Sequence, residues 1–117
     1  MSGHGTHIRE TLRPQARELR RVIPDVYKGF ASLHDAALTE GALSTKTKEL
    51  IALAIAVSEQ CDGCIAAHAH AAVKHGATLE EAAEAIGVTF LMNGGPATIY
   101  GPRAYQAFCE FAPVPAG

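Results

Sequence analysis

Cys61-Asp62-Gly63-Cys64 sets two thiols three positions apart, and His68 follows one helical turn after the second. Two sulfurs at that spacing can close an intramolecular disulfide. At the start of a helix, free backbone N–H groups and the helix dipole also stabilise a thiolate, most directly on the first cysteine. An imidazole four residues after Cys64 shares its helix face and can pass the sulfur a proton. Glu49 stands twelve residues before Cys61, at the mouth of the apolar run Leu50 to Val57. A carboxylate there is costly to bury without a partner, which makes Glu49 the candidate base if its helix and the cysteine helix pack as an antiparallel hairpin. Glu59 is nearer in sequence, but at a helix end beside Gln60 it reads as a solvated carboxylate and ranks below Glu49.

The same residues admit a metal reading. A C-x-x-C pair is half of a zinc site, and Cys61, Cys64 and His68 would be three ligands with His70 or His75 as a fourth. Against it, the chain has no second C-x-x-C, and Glu49 has no task in such a site. Redox chemistry is therefore preferred to metal. His70 and His75 read as surface positions of the same helix, and His4, His7 and His34 have no partner that the sequence identifies. Cys109, between Phe108 and Phe111, reads as a small buried apolar residue. Asn93-Gly94-Gly95-Pro96 lacks the Lys and Ser/Thr of a phosphate loop and fits a helix stop.

These side chains must be positioned by helices. Apolar and polar residues never alternate for long and β-branched residues are scattered, so an all-α fold of about six helices is expected. The first covers about residues 7 to 22, with Pro14 inside it, and Pro24 starts a second that runs to about Leu38. Ser44 caps a third, which ends near Glu59. The fourth begins at the Cys61–Cys64 pair and stops at His75-Gly76, where glycine serves as a C-terminal cap. Thr78-Leu79-Glu80-Glu81 is a capping box that opens the fifth, and the last spans about Ala97 to Phe111. Residues 1–6 and 112–117 are expected to be flexible.

The 117 residues fit a single domain. Apolar residues make up 48% of the chain, yet aromatics are only 6% and Trp is absent, so Ala, Leu, Ile and Val must build the core. The net charge of −2 and the lack of a basic cluster beyond Arg20-Arg21 argue against nucleic acid as a partner. The apolar run Leu50 to Val57 is far short of the roughly 20 residues that cross a bilayer, so no membrane insertion is expected. Met1 to His7 has no apolar stretch of a signal peptide, which gives a cytoplasmic expectation. In that reducing compartment a C-x-x-C points to redox catalysis or metal rather than a structural staple. A chain this small and this rich in apolar residues is expected to form a homo-oligomer.

Glu49, eleven intervening residues, Cys61-x-x-Cys64, three more residues and then His68 resembles the core motif of the AhpD-like alkylhydroperoxidases. Their superfamily also contains the carboxymuconolactone decarboxylases. The resemblance covers about residues 24 to 110 and implies an all-α helical bundle assembled as a trimer or hexamer. It further implies that Cys64 attacks the peroxide, that Cys61 resolves the intermediate, and that Glu49 and His68 relay protons to Cys64. The chain departs from the best-characterised peroxidase branch at Gly63, where that branch has a histidine, so the implied relay is shorter. The implied activity is a thiol-dependent peroxidase or disulfide reductase that acts on a hydroperoxide or disulfide and is recharged by a dithiol protein. It needs no cofactor, because the two cysteines store both electrons. The alternatives are a structural zinc module and a non-redox lyase of the same superfamily.

Overall fold

Leu53, Ile65 and Phe108 meet with none of their surface exposed, and the space between them is filled by Ala56, Ala69, Ala72, Ala82, Ala104 and Ala107. Side chains this small let helix backbones approach closely, which is how a chain poor in aromatics reaches interior packing density. The structure, a computed structural model, describes residues 4–113. It contains α1 (His4–Val22), α2 (Pro24–Leu38), α3 (Thr45–Ser58), α4 (Asp62–Lys74), α5 (Leu79–Asn93) and α6 (Ala97–Phe111). Helices α3 to α6 surround the core, and α1 lies across α4 and α6. No strand occurs among the described residues, and none of their helices is long and apolar enough to cross a membrane.

The capping signals act as expected. Ser44 Oγ accepts from Thr47 N at 3.1 Å, and Thr78 and Glu81 close a reciprocal capping box. Two helix ends share one device: the residue after the cap turns left-handed and its neighbours donate back to the last carbonyls. After α4 this is Gly76, at φ 89°, with Gly76 N donating to Val73 O and Ala77 N to Ala72 O. After α3 it is Gln60, at φ 56°, with Gln60 N donating to Val57 O and Cys61 N to Ala56 O. A side chain in that region costs roughly 1–2 kcal/mol. The cost is borne at the residue that delivers Cys61 to the start of α4.

One feature differs from the sequence expectation. The first helix starts at His4 rather than near residue 7, because its N-terminus has found an anion. Gly5 N and Thr6 N donate to the Glu110 carboxylate at 3.3 and 2.9 Å, which satisfies amides that a free helix end would leave unpaired. Residues 4–6 are therefore helical rather than part of a loose terminus. A Cβ on Gly5 would sit 3.0 Å from Ala107 Cβ, so glycine permits this approach. Residues 1–3 and 114–117, expected to be flexible, lie outside the described residues.

Helix α2 has the bounds that the sequence predicts, and it buries no residue. Val26, Phe30 and Leu33, at helical spacing, are each 64% exposed. The radius of gyration, 14.6 Å, exceeds the roughly 13 Å of a compact chain of this length because α2 stands off the core.

Candidate functional site

Cys61 is the N-cap of α4, and its Sγ accepts from the Cys64 backbone N–H at 3.2 Å. The sulfur thus takes the place usually filled by a Ser or Asp oxygen, at the positive end of the helix dipole. Cys64 follows in the first turn, and its sulfur is bonded to that of Cys61 in a disulfide that closes across a Cα separation of 5.2 Å. The two cysteines differ in access: Cys64 is exposed, whereas Cys61 is half-buried.

Helices α3 and α4 form the antiparallel hairpin that the pairing of Glu49 with the cysteine helix requires. Glu49 is 2% exposed, and its Oε1 lies 2.7 Å from His68 Nδ1. An Nδ1–H donating to the carboxylate is a charge-assisted bond in which the buried acid gains its partner, and it leaves Nε2 as the nitrogen that exchanges a proton. Glu49 and His68 are thus brought together, as are Cys61 and Cys64. Among the described residues no hydrogen bond joins the His68 ring to either sulfur in this disulfide form. Glu59 is exposed, as expected.

At Gly63 a Cβ would come within 2.9 Å of Leu12 Cδ1, the far end of an exposed, flexible side chain on α1, so a larger residue there needs only that this side chain move aside. Asp62, on the other side of the turn, approaches Arg103, whose guanidinium lies 4.7 Å from the Tyr100 ring centroid.

Of the residues considered for a zinc set, Cys61 and Cys64 are bonded to each other and His68 bonds to Glu49. Two readings of the sequence are corrected here. Cys109 is exposed rather than buried, because α6 turns Phe108 and Ala107 inward and leaves position 109 on the outside. His34 has a partner after all. Its Nδ1 lies 3.6 Å from Asp35 Oδ1, and its ring is near-parallel to that of His68, with centroids 6.4 Å apart and planes at 15°. No spacing rule links His34 to His68, since the approach depends on where α2 lies beside α3.

Of the other histidines, His75 is exposed as expected. His70 is half-buried, edge-on to Phe111 at 5.0 Å, and burial, then Arg9 and Lys74, hold its pKa below the ordinary imidazole value. Both effects favour the neutral ring, which suits packing between α4 and α6. His7 is exposed, and the side chain of His4 lies outside the described residues.

Residues 24–108 match the family model of the carboxymuconolactone decarboxylase family. The chain is also similar to a crystal structure of an apo carboxymuconolactone decarboxylase family protein from Legionella pneumophila. The two share 44% identity and a TM-score of 0.91 over 96% of this chain and all of that one. An uncharacterized protein of Haemophilus influenzae is 38% identical over 90% of this chain and 89% of its own length. An uncharacterized protein in the cox locus of Paracoccus denitrificans is 37% identical over 80% of this chain and 84% of its own.

Proposed function

Because the chain belongs to the carboxymuconolactone decarboxylase family, whose superfamily includes the AhpD-like proteins, we propose that it is a thiol-dependent peroxidase or disulfide reductase working through Cys61 and Cys64. The observation that carries this reading is the cysteine pair at the start of α4, one sulfur capped and the other exposed, four residues from an imidazole bonded to a buried carboxylate. With a hydroperoxide, the Cys64 thiolate attacks the distal oxygen. An S–O bond forms, the O–O bond breaks and the alcohol leaves with a proton. The resulting sulfenic acid condenses with Cys61, water departs, and the disulfide holds the two electrons' worth of oxidation. Glu49 fixes the His68 tautomer, and His68 takes and returns the protons.

An external dithiol restores the pair. Its thiolate attacks the exposed Cys64 sulfur, and Cys61 leaves as the thiolate that the helix start stabilises, a combination that speeds exchange. The test is a thiol count. Of the three thiols in the reduced chain, peroxide should remove two in an intramolecular disulfide, leaving Cys109, and a dithiol should return both. An unchanged count would sink the reading. Metal analysis of protein prepared without chelator separates it from the zinc module, which needs stoichiometric metal.

The lyase reading has one observation in its favour, since Glu49 and His68 form an acid–base couple without any cysteine. Lyase activity that survives in a Cys61→Ser, Cys64→Ser double variant would select it.

The partner expected on physical grounds is a second copy of the chain. Val26, Phe30 and Leu33 on α2, with Leu91 83% and Met92 74% exposed on α5, present more apolar surface than a small monomer ordinarily shows. Light scattering should give the mass of a trimer or hexamer. A 12.3 kDa particle would contradict this.

A further inference from the structure

Five of the chain's ten basic residues lie on α1, set against two glutamates, so this helix carries +3 while the rest of the chain carries −5. That positive helix crosses the start of α4. Between the two lies a cavity of about 240 Å³ lined by Arg9, Leu12, Arg13, Ala16, Gly63 and Ala67. Gly63 precedes Cys64 and Ala67 follows it by three positions, so the cavity borders the turn of α4 that carries the exposed cysteine. Its lining joins two guanidiniums to the aliphatic side chains of Leu12, Ala16 and Ala67 and holds no carboxylate. The neighbouring acids are engaged elsewhere: Asp62 approaches Arg103, Glu110 accepts from Gly5 N and Thr6 N, and Glu10 lines a second cavity with His70 and Phe111. Among the described residues neither guanidinium is paired with a carboxylate, and Arg9 lies 5.8 Å from the Phe111 ring centroid. The charge of Arg9 reaches α4, where burial and then this guanidinium hold the His70 pKa down.

We propose that Arg9 and Arg13 recognise an anionic group, a carboxylate or sulfonate, on the small thiol compound that reduces the Cys61–Cys64 disulfide. This rests on the reading of the pair as a thiol–disulfide site and names the chemistry of its reductant. Guanidinium forks match such anions in geometry as well as charge, and the apolar wall takes the carbon stem. A cavity of this size holds only a few heavy atoms, which suits a small molecule. With the anion seated there, the thiolate attacks Cys64: a new S–S bond forms, the Cys61–Cys64 bond breaks and Cys61 leaves as a thiolate. A second thiol of the reductant then displaces Cys64. Two electrons pass to the pair, the reductant ends as a disulfide, and its two protons end on Cys61 and Cys64.

The experiment compares two dithiols of one carbon skeleton, 2,3-dimercaptopropane-1-sulfonate and the neutral 2,3-dimercaptopropan-1-ol, on the oxidised full-length chain. Acid quenching, alkylation and mass spectrometry give the rate of disulfide loss with each. At low ionic strength the ratio of sulfonate to neutral rate should fall about 10-fold in an Arg9→Gln, Arg13→Gln variant, while the neutral rate stays within about twofold of wild type. High salt should remove the wild-type preference. Arg17→Gln with Arg21→Gln takes the same charge from the same helix outside the cavity, and should change the ratio by less than about twofold. If Arg9→Gln, Arg13→Gln slows both reagents, Arg13→Gln alone, at an exposed position, should lower the ratio about threefold. An unchanged ratio in the variants at 9 and 13, or an equal fall in the control at 17 and 21, overturns the inference. Failure of the underlying redox reading looks different: the wild-type disulfide would then be inert to both dithiols.

Discussion

Cys64→Ser, made in a chain that also carries Cys109→Ser, should abolish peroxide-driven disulfide formation and leave no sulfenic acid for a cyclic 1,3-dione probe to label. Cys61→Ser in the same background should also form no intramolecular disulfide, yet it should label on Cys64, because the attacking sulfur survives and only its resolving partner is gone. The asymmetry follows from two opposed preferences that the structure separates. Helix electrostatics stabilise a thiolate best on Cys61, whose sulfur receives the Cys64 N–H. Access favours Cys64, which is exposed while Cys61 is half-buried. An attacking sulfur must meet substrate, and a leaving sulfur must bear charge, so each cysteine suits one task. Mass spectrometry of the labelled variants reads the result directly; labelling of Cys64→Ser with none of Cys61→Ser would reverse the assignment. The exposure of Cys109 makes the serine background necessary, since an accessible third thiol could form intermolecular disulfides and confuse the count.

Much of this arrangement was legible in the chain because it is local. Ser44, the Thr78–Glu81 box, Gly76 and the Asn93 to Pro96 stop each act within a turn or two, and each delimits a helix where its chemistry says it should. The Glu49–His68 bond was legible at one remove, because a short connection between α3 and α4 forces a hairpin and a buried carboxylate needs a partner. What escaped the sequence depends on helices packed from a distance. His34 comes near His68 only through the placing of α2 beside α3, and Leu12 reaches Gly63 only through the crossing of α1 over α4. Glu110 captures the start of α1 from more than a hundred residues away. Gln60 shows a different limit. The left-handed turn before Cys61 is filled by a residue with no special liking for it, so the glycine that marks the end of α4 has no counterpart at the end of α3.

His68→Ala should be both slower and markedly less stable, whereas Glu49→Gln should be slower with little loss of stability. The difference lies in what each change leaves behind. Removing His68 strands a carboxylate that is 2% exposed, and breaking a buried pair from one side typically costs about 3–5 kcal/mol. In a chain of this length that should lower the melting temperature by roughly 10–20 °C. Glutamine at position 49 keeps an oxygen that can accept from His68 Nδ1–H but carries no charge to support an imidazolium, so proton transfer should slow by about 10²-fold while the fold persists. A Glu49→Leu, His68→Leu double variant should recover most of the stability lost in His68→Ala, because no buried charge is left unpaired, and recover none of the rate. Thermal unfolding and thiol-release kinetics on the three proteins separate the two roles. If His68→Ala melts with the wild type, the carboxylate finds relief elsewhere, and Glu49 and His68 are not the mutually dependent pair that their 2.7 Å contact indicates.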